Sequence, residues 1–254
     1  MPRRRHSPGC HLRCPWTAPD DKQGSGKGTA VERHRTAVLI PAHREAGTIG
    51  NVVAAAARQA RVIVVDDCSS DDTAAQAEAA GAVVVRNATN LGYEGSLNRA
   101  FEKAVEMGFE FAITMDADGE HDPALIARFR DILEARQVPL VLGVRPRKQR
   151  LAETVMGLYV KARFGVDDIL CGMKGYDLHL LAENGGFDCT GSIGTELAIN
   201  SIRNGAEFRQ IDVSGTPRAD TPRFGRRWRA NLRILAALWR LVRDDLRGGP
   251  KHGR

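Results

Sequence analysis

Long apolar runs are missing from this chain. The longest lies near residues 234–239, far short of the roughly 20 residues that a spanning helix needs. The N-terminus has no apolar segment of the kind a secretory signal carries. A cysteine framework is missing as well, because the five cysteines are odd in number and scattered, which suits a reducing compartment. Together these absences predict an intracellular, cytoplasmic protein. No Gly-x-Gly-x-x-Gly follows the first apolar run, where Pro41-Ala-His-Arg-Glu45 stands instead. That excludes the usual dinucleotide-binding reading. Charge of one sign is also lacking over most of the length. The net +6 divides into +5 over residues 1–35, −7 over 36–215 and +8 over 216–254. An acidic body between basic ends argues against a nucleic-acid binder.

Residues 1–35 are rich in Pro, Gly, Arg and Ser without apolar periodicity, the composition of a disordered basic tail. Two motifs within it carry little. Gly24-Ser-Gly-Lys-Gly-Thr29 resembles a phosphate loop, but Asp21 stands where its first Gly belongs and no strand precedes it. His6, Cys10, His11 and Cys14 have no partner cluster downstream for a zinc site.

From Thr36 onward strands and helices alternate. Apolar runs at 37–40, 62–65, 82–85, 111–115 and 140–144 read as strands, with helical stretches near 48–58, 72–80, 95–107 and 123–136. This alternation predicts an α/β domain over 36–225 with a doubly wound, mainly parallel sheet. In such a sheet the strand ends share one edge, where ligands bind. Each early strand here ends in polar residues. The first gives Pro41, His43 and Glu45, and the second gives Asp66-Asp67-Cys-Ser-Ser-Asp-Asp-Thr73, where Ser69 or Ser70 can cap the next helix. The third gives Asn87-Ala-Thr-Asn-Leu-Gly-Tyr-Glu-Gly95, and the fourth gives Asp116-Ala-Asp-Gly-Glu-His-Asp-Pro123. Clustered carboxylates repel unless a cation sits among them, and hard divalent ions take such oxygen ligands. Asp122-Pro123 then reads as an N-cap followed by Pro at the first helical position.

In their order, these four segments resemble the signatures of family 2 glycosyltransferases. They are most similar to those of the dolichol-phosphate mannosyltransferase-like, or polyprenyl-phosphate glycosyltransferase, branch. The resemblance spans about residues 36–230. It implies a GT-A fold, a nucleotide-diphosphate sugar donor, Mg2+ or Mn2+, and inversion at the anomeric carbon. It further implies that Pro41, His43, Glu45, Asp66, Asp67, Asp116 and Ala117 line the nucleotide-sugar site. Asp116, Asp118 and Glu120 would hold the metal, with Glu120 where relatives often carry Gln, and Asp118 would be catalytic. Strand five exits into Gly143-Val-Arg-Pro-Arg-Lys-Gln-Arg150. By the resemblance Arg145, Arg150 and Thr154 meet an acceptor phosphate, as guanidinium forks match phosphate oxygens. Asp168 opens a matching Asp…Gly172 motif. It is either structural or, for a hydroxyl acceptor, a base candidate along with Glu196. Arg223 and Arg227 match a late loop that closes on the donor diphosphate.

Residues 226–254 read as a basic amphipathic helix. Trp228, Leu232, Leu235, Trp239, Val242 and Leu246 fall on one face, widened by Ile234, Leu238 and Leu241, and Arg229, Arg233, Arg240 and Arg247 fall largely on another. That suits an anionic membrane surface, while the plain alternative packs the apolar side on the catalytic domain. The reading is a metal-dependent transferase that moves a sugar to a polyprenyl phosphate. The alternatives are a family 2 enzyme with a saccharide hydroxyl acceptor and a non-catalytic sugar-nucleotide-binding protein.

Overall fold

The computed structural model describes residues 35–146, 150–213 and 227–247, without the side chains of 227–230. The expected N-terminal tail with its two declined motifs, and Arg223, therefore lie outside the described residues. The order along the chain is β1 (Thr36–Ala42), α1 (Ile49–Ala56), β2 (Arg61–Asp66), α2 (Thr73–Ala79), β3 (Val83–Arg86), α3 (Gly92–Glu106), β4 (Phe111–Thr114) and α4 (Leu125–Glu134). Then come β5 (Leu140–Val144), α5 (Leu151–Phe164), β6 (Lys174–Asp177), α6 (His179–Asn184), α7 (Glu196–Arg203), β7 (Phe208–Asp212) and α8 (Arg227–Leu246). The alternating α/β reading holds, and each of the five expected strands is present.

These strands form one sheet in the order β3-β2-β1-β4-β6-β5-β7. β1 pairs in parallel with β2 and β4, and β2 with β3. β6 runs antiparallel between β4 and β5. Side chains alternate between the faces, as the strand period of two requires. Ala37, Leu39, Ile63, Val65 and Ala112 point to the layer of α3, α5, α7 and α8. Val38, Ile40, Val62, Val64, Phe111 and Ile113 point to the layer of α1, α2 and α4. With both faces covered, the central strands have no polar side, which explains their unbroken apolar runs. Each large side chain so buried contributes about 1.5–3 kcal/mol.

Two capping expectations are corrected. α2 has Asp72 at its N-cap with no side-chain cap, and in the turn before it Asp71 Oδ1 accepts from the Thr73 amide (3.2 Å) and hydroxyl. Ser69 instead accepts from the Arg44 amide (2.9 Å), tying the β1 exit to the β2 exit. Asp122 accepts from the Ala124 amide (2.9 Å) in the turn before the helix, but α4 starts at Leu125 with Ala124 at its N-cap, so Pro123 precedes the helix rather than opening it.

α8 packs Ile234, Ala237 and Leu241 into the core, while Leu232, Leu235 and Trp239 stay exposed. Its docking side is thus the flank of the expected apolar face rather than its centre. No helix among the described residues is long and apolar enough to cross a membrane.

Candidate functional site

The exits of β1, β2 and β3 are joined by hydrogen bonds between loops. Asp67, buried at 4 % exposure, accepts from Asn87 Nδ2 (2.9 Å), the Leu91 amide (2.7 Å) and the Gly92 amide (2.8 Å). Both of its oxygens are therefore occupied by the loop that precedes α3. The Asp67 carbonyl lies 2.8 Å from His43 Nδ1. The Glu45 carbonyl accepts from the Thr48 and Ile49 amides and so opens α1. Its own amide donates to Thr73 Oγ1 (2.8 Å). Pro41 lies at the C-terminal end of β1, paired with Val65 of β2.

Asp66 behaves differently from its neighbour. It is buried, and its Oδ1 has no hydrogen-bond partner among the described residues. A buried acceptor left unpaired costs about 1–3 kcal/mol, so a donor supplied by a ligand gains that much there. Of the two aspartates expected to meet the base, the free oxygen belongs to Asp66.

β4 ends at the acidic loop. The Asp116 amide lies 3.3 Å from His121 Nδ1, and His121 Nε2 lies 3.9 Å from Asp116 Oδ2. His121 is buried, and the bond to its Nδ1 fixes the Asp116 backbone, while its Nε2 is too far from the carboxylate to hydrogen-bond it. Sequence reasoning quoted His121 within its motif but gave it no role. A Cβ on Gly172 would lie 2.2 Å from Asp116 Oδ2, so the residue there must be Gly. Ala117 is buried beneath the loop. Asp118 Oδ1 accepts from the Glu120 amide (3.0 Å), and Gly119 turns the chain at φ 78°. No three His, Cys, Asp or Glu among the described residues gather into a ready metal-binding group, and the set of Asp116, Asp118 and Glu120 stays an expectation. Asp116 and Asp118 still fit a small divalent ion, which is commonly held by one or two carboxylates with substrate phosphates completing its shell.

Beyond β5 the site is built from ion pairs. Arg145 grips Asp168 through Nε (2.7 Å) and Nη2 (3.0 Å), and its amide also points to Asp168 (3.2 Å). Glu153, at 3 % side-chain exposure, lies 3.6 Å from Arg145 and 2.6 Å from Arg150. Burial works against the charge of Arg145, but the hydrogen bond and charge of Asp168 outweigh it and raise its pKa above the usual guanidinium value. With both oxygens held by a guanidinium, Asp168 has the geometry of a structural carboxylate rather than a free base. Burial pushes the neighbouring Cys171 thiol up to about 11. Thr154 is exposed on α5, and its hydroxyl lies 3.4 Å from the Arg150 carbonyl.

A last loop faces this edge. Asp188 accepts from the amides of Thr190 (3.2 Å), Gly191 (2.8 Å), Ser192 (3.0 Å) and Gly194 (2.9 Å). Glu196 Oε2 accepts from the Cys189 and Thr190 amides and the Thr190 hydroxyl. Burial raises the Glu196 pKa, and the charge of Asp188 adds to it against these hydrogen bonds. A Cβ on Gly194 would come 3.0 Å from Tyr93. Burial, then the charge of Asp116, pushes the Tyr93 phenol well up. The loop around Gly194, Tyr93 and the acidic loop are thereby neighbours. Arg227 begins α8.

Residues 37–155 match the family model described as glycosyl transferase family 2. No curated protein matches the chain by sequence. Among solved structures, a mycobacterial protein is 22% identical with a TM-score of 0.69, over 81% of this chain and 73% of that one. Glucosyl-3-phosphoglycerate synthase from Mycobacterium tuberculosis, with phosphoglyceric acid bound, is 20% identical with a TM-score of 0.66, over 87% and 82%. The same synthase with Mn2+, uridine diphosphate and glucosyl-3-phosphoglycerate is 21% identical at 0.65, over 87% and 82%. The fold is thus GT-A-like.

Proposed function

We propose, from the match of residues 37–155 to the glycosyl transferase family 2 model, that the protein transfers a sugar from a nucleotide diphosphate to a polyprenyl phosphate, with inversion. The donor half rests on Asp66, whose free buried oxygen suits the nucleotide base, and on the Asp116–Asp118 pair. A divalent cation held by those two carboxylates would neutralise charge that develops on the departing diphosphate. His121 fixes the Asp116 backbone for that task. Solved structures of similar fold hold uridine diphosphate with Mn2+ or Mg2+, which supports the same class of donor here.

One observation carries the acceptor reading. α5 starts directly after Arg150 and exposes Leu151 (78%), Val155 and Leu158 (66%) at helical spacing, and α8 beside it exposes Leu232, Leu235 and Trp239. A phosphate held by Arg145 and Arg150 therefore has an apolar surface leading away from it, on which an isoprenoid chain can lie. Exposed apolar stripes of this size mark an interaction surface. A phosphate oxygen is already an anionic nucleophile and needs no base. Asp168 and Glu153 then serve to hold the two guanidinium forks rigid. The same surface suits peripheral contact with an anionic membrane.

A second reading has its own observation. Glu196, its carboxyl pKa raised by burial, sits on the loop against Tyr93, where a hydroxyl acceptor would need a base. The synthase of similar fold binds phosphoglyceric acid, a small acceptor that carries phosphate and hydroxyl together.

The deciding experiment offers a panel of labelled nucleotide sugars with undecaprenyl phosphate or 3-phosphoglycerate, with Mn2+ or Mg2+ against EDTA. Metal-dependent label in the lipid fraction is expected. Label only in the small acceptor would replace the first reading with the second.

A further inference from the structure

α3, α8 and the loop of residues 188–196 are joined in a closed ring of hydrogen bonds. Asn98 of α3 holds the base of the loop, donating to the Asp188 carbonyl (2.7 Å) and accepting from the Phe187 amide (3.0 Å). Glu94, one turn earlier on α3, accepts from Arg233 of α8 (2.8 Å). Two turns further along α8, Arg240 Nη1 donates to the Thr190 (2.6 Å) and Gly191 (3.0 Å) carbonyls and closes the ring. Lys174 of β6 donates to the Gly194 carbonyl (3.2 Å) from within. α3 itself begins where the Leu91 and Gly92 amides meet Asp67, so the ring ties the loop to the proposed donor side.

The way the loop is built explains the contact with Arg240. Asp188 is buried, and its carboxylate accepts from the Gly191, Ser192 and Gly194 amides and the Ser192 hydroxyl. In a trans peptide the N–H and the C=O point to opposite sides. The Gly191 N–H turned toward Asp188 therefore turns the Thr190 carbonyl outward, and the Ser192 N–H does the same for the Gly191 carbonyl. Those two carbonyls are the ones that Arg240 meets. Two peptide dipoles thus lie in line between a buried anion and a partly exposed cation, an arrangement that both charges favour. Thr190 also donates through its amide and hydroxyl to Glu196 Oε2. The residue that Arg240 holds from outside therefore holds Glu196 from within. Ile193 sits at φ 61°, a conformation that a β-branched residue keeps only when its surroundings enforce it.

Resting on the reading of this edge as the place of sugar transfer, we propose that Arg240 is a positioning residue for the 188–196 loop. It acts from α8 through two peptide groups on Asp188, and through Thr190 on Glu196. α8 is docked independently by Ile234, Ala237 and Leu241, so loss of the guanidinium frees the loop and leaves the helix in place.

The test compares full-length wild type with Arg240→Met, Arg240→Lys and Arg243→Met. Three quantities are read: hydrogen exchange over residues 188–196, Mn2+-dependent UDP binding, and transfer from labelled nucleotide sugars to undecaprenyl phosphate or 3-phosphoglycerate. The bonds of Arg240 lie at the surface, so water replaces the guanidinium and the Met variant folds. Arg240→Met should exchange about tenfold faster in this loop and lose about tenfold in kcat, while its UDP affinity stays within about twofold. Arg240→Lys should recover most of both losses, since one ammonium can donate to two carbonyls. Arg243 pairs with Asp244 and stacks on Trp239, so Arg243→Met should leave the loop's exchange unchanged. Wild-type exchange in Arg240→Met overturns the proposal, and so does a loosened loop with full turnover. A fall in UDP affinity equal to the fall in kcat also overturns it, because the effect would then be general to the fold. If the wild type neither binds UDP with Mn2+ nor transfers a sugar, the donor reading fails, and exchange alone decides whether Arg240 holds the loop.

Discussion

Around β1, β2 and β3, one buried aspartate ties neighbouring loops through neutral donors, with Asp67 accepting from Asn87, Leu91 and Gly92. Beyond β5 the ties are between full charges, Arg145 and Arg150 with Asp168 and Glu153. The first arrangement makes a rigid rim that a neutral base can enter. The second keeps two half-buried cations oriented at no net charge, since two guanidiniums face two buried carboxylates. A phosphate that reaches them gains fixed donors without having to order them, which is where preorganised sites have their advantage. The difference teaches that the proposed donor side is shaped by hydrogen-bond geometry and the proposed acceptor side by charge balance.

The sharpest break comes at the acidic loop between the two. Asp118→Ala should lower metal-dependent turnover by roughly 10²–10³-fold and leave the melting temperature within a degree or two, because Asp118 is only partly buried. Unchanged turnover would falsify the metal assignment.

Next in size is the charge balance of the acceptor side. Arg145→Met leaves Asp168 buried without its partner and should destabilise the fold by about 3–5 kcal/mol. The double variant Arg145→Met with Asp168→Leu should recover most of that loss in urea titrations yet remain inactive toward a phosphate acceptor. Recovery of stability without activity would separate the structural role of the pair from its binding role. On the donor side, Asp67→Ala should cost less, about 2–3 kcal/mol, because it leaves amide donors rather than a charge unpaired. If the two losses turn out equal, the contrast between the halves does not hold.

A smaller effect tests the apolar surface. Leu158→Glu, at a position 66% exposed, should change stability by less than about 0.5 kcal/mol. It should raise the KM for undecaprenyl phosphate several-fold and reduce liposome binding. An unchanged lipid KM would favour a small acceptor.

The smallest effect lies in the core. The Tyr176 hydroxyl is buried without a partner, in contact with Phe101 and Phe187. Tyr176→Phe should be neutral or stabilise by up to about 1 kcal/mol. A clear loss of stability would mean that the hydroxyl has a role the packing does not reveal.

Much of the donor half was legible in the sequence. The strands β1 to β5 announced themselves because each is buried on both faces, and the polar residues at their ends follow from the edge they share. What could not be read is which of two adjacent aspartates keeps a free oxygen. Asp66 and Asp67 are alike in sequence, and only the Asn87–Gly92 loop folding back onto Asp67 tells them apart. β6 was invisible because Lys174-Gly-Tyr-Asp177 is too short and too polar to carry a strand period. The expected contact of Arg227 with the donor diphosphate stays a proposal, as does that of Arg223.

By itself, then, the order of apolar runs and polar strand ends determined the α/β class, the edge that holds the site and the acidic loop at its middle. These are local patterns, set by alternation and by where a strand leaves the sheet. Only the tertiary structure decided which charges meet. It drew Asp168 onto Arg145, Asp67 onto the Leu91 and Gly92 amides, and Lys174 onto the Gly194 carbonyl. Such pairings join residues far apart in the chain, and no sequence period encodes the distance between them.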